Sequence, residues 1–432
     1  MKKLVLVACL LLFGCKQATK NIILYEEDIS ERISGEKILI ENLDRNQLMK
    51  CSEVFDSIRF IPLETQDRSL IGNIDKIIAT NDRFIILDSY IAKSIFVFDK
   101  NGMFMNRVGT NGNGPEEYDT PQDIVYDRYN NELLVWCHNH KTIMRFELDG
   151  KFIENIRVDW WASIISVASK DIYTLYFNNI PQKGRKPNDH NIYMINGKGQ
   201  IINRLLPYNE KLGHLRPPCQ NAFSLYRDTI LYTPYFENKI YQINPDRIDT
   251  RYYVDFVQHS IPSSLLLNDF SIIDKTIIER NYANVIQAGE TSSHIILRFV
   301  FDHRLSFTAY YSKESKQVKW SPLWINDVYA MADIGRFQCI DEDLIINSVE
   351  SSAFVRIKDV LEKVGRENIV KELIRATSSI DNILFVNKQL KDNLIKCYQS
   401  LQIILSDEEV ELINSINETD NPILMIAKLK KF

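Results

Sequence analysis

The sequence predicts an all-β fold in which six four-stranded sheets close into a ring. Three observations support this prediction. A hairpin pattern recurs along the chain, since 48 residues separate Phe98 from Phe146 and 49 separate Phe146 from Ile195. Each repeat contains four short stretches in which apolar and polar residues alternate. The last repeat lacks one strand, which an otherwise unpaired segment near Phe60 can supply.

Each hairpin consists of an apolar strand, a polar turn that ends in glycine, and a second alternating strand. Glycine supplies the positive φ that tight turns require. The three copies read Phe98-Asp99-Lys100-Asn101-Gly102-Met103-Phe104, Phe146-Glu147-Leu148-Asp149-Gly150-Lys151-Phe152 and Ile195-Asn196-Gly197-Lys198-Gly199-Gln200-Ile201. We therefore expect an antiparallel pair of strands at each of these positions.

Two further strand-like segments precede each hairpin, so each unit has four strands. The segments of the first unit are 73–80, 84–88, 94–99 and 103–108, and those of the second are 122–127, 132–137, 142–147 and 151–158. Units three to five cover residues 161–206, 222–256 and 283–322. Four short strands in every 40 to 50 residues, approximately, are typical of a β-propeller blade. The apolar period of two excludes a helical solenoid.

The sixth unit has only three strands of its own. It begins near Met331, its second strand is predicted at 343–349, and its third is predicted at 423–429. Residues 57–64 form a strand with no neighbour in sequence, so we expect this segment to pair with 423–429. Such pairing closes the ring and removes exposed sheet edges. The predicted six-bladed β-propeller comprises residues 53–349 and 422–432, with a helical insertion at 350–421 in the last blade.

The start of the chain resembles a bacterial lipoprotein signal. Lys2 and Lys3 precede an apolar stretch at 4–13, which is shorter than the roughly 20 residues needed to span a bilayer. The resemblance implies that residues 1–14 are a signal peptide and that the Cys15 thiol is acylated. An ordinary signal peptide with an incidental cysteine is the alternative. Residues 15–52 are then an anchor-proximal segment of an outer-membrane lipoprotein, facing either side of that membrane.

Charge and cysteine content exclude some classes of function. The formal net charge is -5 over 432 residues, and Lys and Arg are scattered, so the sequence has no basic footprint for nucleic acid. Five cysteines follow the predicted signal peptide and its acylated cysteine, at widely spaced positions. Their odd number and spacing predict neither a disulfide framework nor a cysteine metal site. They are interpreted as buried apolar residues.

Several segments resemble the six-bladed propeller lipoproteins abundant in Bacteroides-type bacteria, which are relatives of NHL-repeat propellers. The segments are Phe60-Ile61-Pro62-Leu63-Glu64-Thr65, Ile71-Gly72, the turn at 98–102, Gly112-Asn113-Gly114-Pro115-Glu116-Glu117-Tyr118, and Asn421-Pro422-Ile423-Leu424-Met425-Ile426. The resemblance extends from about residue 50 to the last strand. It implies the fold but no particular activity, because propellers include both binding modules and enzymes.

The long insertions are predicted on one face of the ring. In a four-stranded blade, the connection between strands two and three lies on the same face as the connection to the next blade. We call this the loop side. The insertions at 109–120, 178–191, 260–276 and 350–421 all belong to such connections. Apolar residues at helical spacing and a capping box at 406–409 predict helices in the last insertion, packed over or beside the channel mouth or only stabilising the blade.

Histidines and aromatic residues are the candidate ligand-binding groups. His138 and His140 are two residues apart in a loop-side connection of the second unit, so their imidazoles can point the same way and bind one divalent metal. His190 and His214 are the candidates for a third ligand. Solvated loop histidines are the alternative. The other candidates are the aromatic residues Trp136 and Tyr235, which could stack on a sugar or peptide, together with Asp88 and Tyr90.

Two functions follow from these patterns. The first is a non-catalytic binding or scaffold module of the cell envelope, with a glycan, peptide or envelope protein as partner on the loop side. The second is a metal-dependent propeller enzyme of the lyase or lactonase type, with its site at the channel mouth. No nucleophile elbow of the Gly-x-Ser-x-Gly type and no His-Glu-x-x-His motif occurs in the sequence. The cofactor is left unknown, with a divalent metal as the candidate.

Overall fold

Six sheets of four or five strands form the ring, which confirms the predicted six-bladed β-propeller. The computed structural model describes residues 35–180, 190–208, 221–262, 264–265, 268–302, 305–327, 337–369, 372, 388–401 and 404–432. The lipidation site predicted at Cys15 and the start of unit six predicted at Met331 lie outside the described residues, as does His214.

The strands are β1 Glu36–Leu39, β2 Leu48–Lys50, β3 Phe55–Pro62, β4 Lys76–Ala79, β5 Arg83–Asp88, β6 Ser94–Asp99, β7 Phe104–Arg107, β8 Asp123–Asp127, β9 Glu132–Cys137, β10 Thr142–Glu147, β11 Phe152–Arg157, β12 Ile164–Ser169, β13 Ile172–Tyr176, β14 His190–Asn196, β15 Ile201–Pro207, β16 Phe223–Tyr226, β17 Thr229–Tyr232, β18 Lys239–Ile243, β19 Ile248–Asp255, β20 Asn284–Glu290, β21 His294–Phe301, β22 Leu305–Ser312, β23 Val318–Ser321, β24 Leu323–Ile325, β25 Cys339–Asp341, β26 Leu344–Val349 and β27 Ile423–Leu429. The helices are α1 Phe270–Glu279, α2 Ser351–Val364, α3 Lys388–Ser400 and α4 Asp407–Ser415, with 3₁₀ turns at Cys51–Glu53 and Val257–His259. None of the described helices is both long enough and apolar enough to cross a membrane.

Blades 1 to 5 are consecutive sets of four strands, β4–β7, β8–β11, β12–β15, β16–β19 and β20–β23. Blade 6 consists of β25, β26, β27 and β3. The first strand of a blade lies against the first strand of its neighbour, as β8 does with both β4 and β12, so the first strands surround the axis. The fourth strand of each blade is therefore the outer one.

The ring closes through antiparallel pairing of β3 with β27, as the sequence predicts. Met425 is paired with Phe60, and Ile423 is paired with Pro62. The buried Asn421, which precedes β27, donates to the carbonyl oxygens of Glu64 (2.9 Å) and Ser69 (2.8 Å). Two segments about 360 residues apart in sequence are thus joined by backbone and side-chain hydrogen bonds.

Apolar side chains from facing blades form the core. Six separate clusters of buried residues fill the six interfaces between adjacent blades. Trp136 in β9, for example, packs with Tyr173 and Tyr193 of blade 3. Because both faces of an inner strand are covered by neighbouring blades, β5 and β9 are apolar on both faces and are almost fully buried.

The three hairpin glycines have the positive φ that the sequence predicts, +85° at Gly102, +98° at Gly150 and +74° at Gly199. They also contact the preceding blade. A Cβ atom at Gly199 would lie 2.3 Å from the Arg157 carbonyl oxygen, and one at Gly102 would lie 2.1 Å from the Pro62 carbonyl oxygen. The turn of each blade therefore packs on the outer strand of the blade before it.

We expect Gly199→Ala to lower the free energy of unfolding by about 3 kcal/mol. Alanine is strained at this positive φ, and its Cβ would clash with the Arg157 carbonyl oxygen. Gly197→Ala in the same turn is the control, since its Cβ would meet only the Asp171 side chain, at 3.9 Å. That variant should change the free energy by less than about 1 kcal/mol. Equal denaturation midpoints for the two variants would contradict the packing argument.

Residues 35–52, which the sequence places in the anchor-proximal segment, are attached to the outside of the ring. β1 pairs in parallel with β19, the outer strand of blade 4, and makes that blade five-stranded. β2 pairs in parallel with β24. In strands of three or four residues, the alternation of apolar and polar residues is too short to predict a strand from sequence. Such strands are recognised only in the structure, from the strand with which they pair.

The insertion at 350–421 contains helices α2, α3 and α4, and Ser406 and Glu409 form the predicted capping box. Phe354 and Ile357 of α2 pack with Ile413 and Ile423, and the Phe354 ring lies 5.5 Å from the Phe60 ring. Helix α3 packs on β24. No described residue of the insertion lines the central cavity. Residues 370, 371, 373–387, 402 and 403 of this insertion lie outside the described residues.

Candidate ligand-binding channel

The first strands of all six blades surround a cavity of about 1670 Å³ on the propeller axis. The loop-side mouth lies where these strands begin and includes Asp75, Tyr90 and His138. The opposite, turn-side mouth lies where they end and includes Arg227 and Glu342. A concave site of this size between repeated elements is a typical position for ligand binding.

An ion pair joins three blades on the channel wall. Lys76 Nζ of β4 lies 2.7 Å from Asp123 Oδ1 of β8, and Asp123 Oδ2 accepts a hydrogen bond of 2.9 Å from the Ile165 N–H of β12. The Asp123 side chain is only 5% exposed. Because these charges are satisfied within the wall, they hold the first three blades together and leave little net charge for a ligand.

Four of the nine other charged side chains that line the channel also form ion pairs with described residues. On the turn side, Arg128 Nε lies 2.8 Å from Asp228 Oδ1, and Asp341 Oδ2 lies 3.2 Å from Lys100 Nζ. At the loop-side mouth, partial burial raises the pKa of Asp75, although the Ser89 N–H donates to it at 2.7 Å. The wall is thus polar, and ion pairs compensate part of its charge.

Neutral polar and apolar groups supply the rest of the channel surface. The side chains of Gln122, Ser163, Asn221, Ser224, Gln338, Asn347 and Ser348 are amides or hydroxyls. Tyr90 is 64% exposed and Leu225 is 41% exposed, although both line the cavity. These two offer apolar surface to a ligand beside hydrogen-bonding groups.

Two of the residues proposed from sequence, His138 and Tyr90, lie at the channel. His138 is half-buried, and its Nδ1 lies 3.1 Å from the Ala162 carbonyl oxygen. His140 points elsewhere and is exposed, with Nε2 3.6 Å from Asp119 Oδ1. Tyr235 packs its ring on Phe236, within the cluster under α1. Binding by these residues stays a prediction.

Trp136 and Asp88, also proposed from sequence, are fully buried. The Trp136 indole N–H donates to the Ala162 carbonyl oxygen at 3.0 Å, and its ring belongs to the core between blades 2 and 3. The Asp88 carboxylate accepts four backbone N–H groups. The structure therefore assigns both side chains to holding the wall and its loops, with no exposed surface for a ligand.

Among the described residues, no group of three or more His, Cys, Asp and Glu side chains could hold a metal ion. The closest approach to a known catalytic set is Ser293, His294 and Asp343 at the turn side. Ser293 Oγ lies 2.8 Å from both His294 Nδ1 and Asp343 Oδ1. In a catalytic triad the imidazole stands between the hydroxyl and the carboxylate, whereas here the hydroxyl stands between the other two. This cluster is therefore not arranged as a triad.

His294 makes stability dependent on pH. Burial lowers the pKa of His294 from 6.5 to about 4. The nearby Lys313 and Lys319 lower this pKa further, whereas the negative charge of Asp343 raises it. Between these values the unfolded chain binds a proton that the folded chain does not. Stability is thus fully present above pH 6.5 and falls as the pH drops towards 4, by roughly 3 kcal/mol in total.

The measurement is chemical denaturation at pH 7 and pH 4.5, with His294→Asn as the comparison. The asparagine keeps a polar group near Ser293 but does not titrate. The variant should therefore lose about 2 kcal/mol less stability than the wild type between pH 7 and pH 4.5. Equal losses for the two proteins would show that His294 is not the group responsible.

Sequence reasoning missed the amides and hydroxyls of the channel wall and the exposed Leu225. Only their position in the blade could have indicated them, because each lies on or beside the first strand of a blade, or at the end of the second strand. Once the four strands of every blade are assigned, the first strands show which residues line the channel. Blade 4 has weak alternation in β16, which obscured Ser224 and Leu225.

Several solved structures are similar to this chain. A Bacteroides fragilis protein described as exported is 17% identical, with a TM-score of 0.67 over 91% of this chain and 100% of that chain. A member of the DUF4221 family from Bacteroides vulgatus is 10% identical, with a TM-score of 0.41 over 61% of this chain and 84% of that chain. A catalytically inactive virginiamycin B lyase from Staphylococcus aureus is 12% identical, with a TM-score of 0.35 over 66% and 78%. At 17% identity, the first of these likenesses concerns the fold alone.

No curated protein matches the chain. A family described as a domain of unknown function, DUF4934, matches residues 36–388. The match begins at β1, the strand added to blade 4, and ends at the first residue of α3. Since it covers more than half of the sequence, the chain belongs to the DUF4934 family.

Proposed function

We propose that the protein is an exported, envelope-anchored binding module that holds an uncharged, hydroxyl-rich ligand such as a glycan in its central channel. The observation that carries this proposal is the channel itself, a cavity of about 1670 Å³ in which ion pairs compensate part of the charge. A charged ligand would have to break those pairs. A hydroxyl-rich ligand can instead hydrogen-bond to the neutral amides and hydroxyls and stack on exposed apolar groups.

The test is a titration of the purified protein with a panel of neutral oligosaccharides, followed by calorimetry with the best binder. Leu225→Trp places a bulkier ring in the channel and should weaken binding at least about tenfold, since the ring takes up part of the ligand's space. Ile272→Trp is the control, because Ile272 of α1 has a similar exposure of 48% but lies outside the cavity. Equal affinities for the two variants would place the ligand elsewhere.

The envelope location rests on the resemblance of the leader to a lipoprotein signal and on a structural relative described as exported. We propose that Cys15 carries the lipid and that the narrower likeness to NHL-type propeller lipoproteins reflects common descent. Cys15→Ser should abolish incorporation of labelled palmitate in cells and release the protein from the membrane fraction. Retained labelling in that variant would contradict the lipid anchor.

A further inference from the structure

Three polar side chains lie at the loop-side mouth of the channel, where blade 6 meets blade 1. Asp75 precedes β4 of blade 1, whereas Gln338 precedes β25 and Asn347 belongs to β26 of blade 6. All three line the cavity, and β25 lies against β4. Gln338 Oε1 accepts the Ser348 N–H at 2.7 Å, and Gln338 Nε2 lies 3.5 Å from the Ile74 carbonyl oxygen. The Gln338 side chain therefore connects the neighbours of Asn347 and Asp75 across the two blades.

The amide of Asn347 has no hydrogen-bond partner among the described residues, although this side chain is only 9% exposed. Burying an amide without a partner is unfavourable for folding. An apolar side chain of the same shape would suit the fold better at this position. Because Asn347 lines the cavity, its amide can instead hydrogen-bond to a ligand, as both donor and acceptor.

The amide of Gln338 has a fixed orientation. Its Oε1 accepts both the N–H of Ser348 at 2.7 Å and the Ser348 hydroxyl at 2.8 Å, so the other end of the amide is the nitrogen. The Nε2 group carries two hydrogens, and the Ile74 carbonyl oxygen can accept only one of them. The second hydrogen can donate to a ligand in the channel.

Asp75 supplies a charged acceptor beside these amides. Its Oδ1 accepts from Asn73 Nδ2 at 2.6 Å, and its Oδ2 accepts from the Ser89 N–H at 2.7 Å. A carboxylate has about four positions for hydrogen-bond donors, so each oxygen can accept one more. The residue after Ser89 is Tyr90, whose exposed ring lines the same mouth.

This combination of donors and acceptors indicates the chemical group that fits. The group has to donate to the Asp75 carboxylate and accept from the amides of Gln338 and Asn347. An ammonium group only donates and a carboxylate only accepts, whereas a hydroxyl does both. Neighbouring hydroxyls on a sugar ring can reach both carboxylate oxygens, and the apolar face of such a ring can stack on an aromatic side chain.

We propose that Asp75, Gln338 and Asn347 bind two neighbouring hydroxyl groups of a pyranose ring, with Tyr90 against the apolar face of that ring. We call these four residues the diol subsite. The hydroxyls donate to Asp75, and the two amides donate to the hydroxyl oxygens. The inference rests on the proposed function, because it assigns one sugar unit of the channel ligand to the junction of blades 6 and 1.

The experiment is calorimetry with the full chain and neutral hexasaccharides of glucose, mannose and galactose. Asp75→Asn should weaken the tightest of these interactions at least about tenfold, because hydrogen bonds to a charged acceptor are the strongest ones in the subsite. Asp56→Asn is the matched control. It removes the same charge from an exposed position in β3, outside the cavity, and should bind as the wild type does.

Asn347→Leu separates a role in binding from a role in folding. Leucine keeps the branched shape but loses the amide, so binding should weaken about fivefold while the denaturation midpoint stays at or above that of the wild type. Asn155→Leu, on the outer strand β11 and outside the cavity, should leave the affinity unchanged. A lower midpoint for Asn347→Leu would show that Asn347 holds the fold and would contradict its place in the subsite.

Two further ligands test the chemistry. The fully O-methylated form of the tightest hexasaccharide has no hydroxyl donors and should bind the wild type at least about tenfold more weakly. Equal binding of this form would overturn the inference. A glucosamine hexasaccharide that binds more tightly than the neutral ones, and loses this advantage in Asp75→Asn, would assign the subsite to an amine and overturn it too.

The variants also distinguish this inference from the proposed function. If Leu225→Trp weakens binding but Asp75→Asn and Asn347→Leu do not, the ligand occupies the channel outside the diol subsite. The inference would then be overturned and the proposed function would stand. If the wild type binds none of the hexasaccharides, both are overturned.

Discussion

Glu290→Gln is expected to lower the free energy of unfolding by about 3 kcal/mol. The Glu290 side chain has no exposed surface and joins blades 4 and 5. Arg251 Nε lies 2.6 Å from its Oε2, and Lys313 Nζ lies 2.6 Å from its Oε1. The Tyr252 hydroxyl also donates to Oε1 at 3.0 Å. Glutamine would leave two cations close together with no opposing charge.

The size of the effect follows from the burial of the three groups. Removing one partner of a buried ion pair costs about 3–5 kcal/mol. The lower end applies here, because the Arg251 side chain is 26% exposed and the Lys313 side chain is 21% exposed. Both cations therefore remain partly hydrated. For a chain of this length, we expect the thermal midpoint to fall by roughly 3–4 °C.

Glu342→Gln is the matched control, since Glu342 is exposed and lies at the same turn-side mouth. It should change the free energy by less than about 0.5 kcal/mol. The double variant Glu290→Gln, Lys313→Met removes one of the two excess cations and should be more stable than Glu290→Gln alone. If the double variant is less stable by the full sum of both single effects, the charge argument is wrong.

Asp88→Asn is expected to cost about 3–5 kcal/mol of stability. Asp88 Oδ2 accepts the N–H groups of Gly72 (2.7 Å) and Asn73 (2.9 Å), and Oδ1 accepts those of Ile91 and Ala92, both at 3.0 Å. Hydrogen bonds to a charged group contribute about 1.5–3 kcal/mol each. In asparagine an NH₂ group replaces one of the two oxygens and faces the two backbone N–H groups that this oxygen accepted. Two of the four hydrogen bonds are therefore lost, and those two N–H groups stay buried without an acceptor.

Asp99→Asn is the control for this variant, measured by the same denaturation. Asp99 Oδ1 alone accepts the Asn101 and Met103 N–H groups, and Asn196 does the same in the equivalent turn of blade 3. Asparagine is thus compatible with that turn, and the change should stay within about 0.5 kcal/mol. Because the Asp88 loop carries Tyr90 at the channel, Asp88→Asn should also weaken ligand binding. Similar stabilities for the two variants would contradict the role assigned to Asp88.

The sequence predicted the hairpins and most strand limits because these depend on local signals. β6, β9 and β10 have the bounds expected from alternation and turn glycines. The long-range pairing of β3 with β27 was also predicted, because each segment lacked any other partner. The strands at residues 35–50 were not predicted, since β1 and β2 are too short to alternate and exist only where an outer edge supplies their hydrogen bonds.

The ligand-binding role of the candidate residues stays a prediction. His138 lies at the loop-side mouth of the channel, where the strand order placed its loop, and Tyr90 also lies at this mouth. Trp136 was proposed as an aromatic residue that could stack on a ligand, and Asp88 as a further ligand-binding residue. A strand end of a propeller is covered by the next blade or by its own loop, and both side chains are buried there. Sequence position alone does not separate these cases.

By itself, the sequence determined the class of fold, the number of blades and the way the ring closes. These follow from the period of apolar residues, the spacing of glycine turns and an unpaired strand at each end of the propeller. Tertiary structure alone decided which residues line the channel, which charges are paired and which outer edge β1 joins. Burial and charge pairing depend on distances between residues of different blades, and no local pattern of residues records those distances.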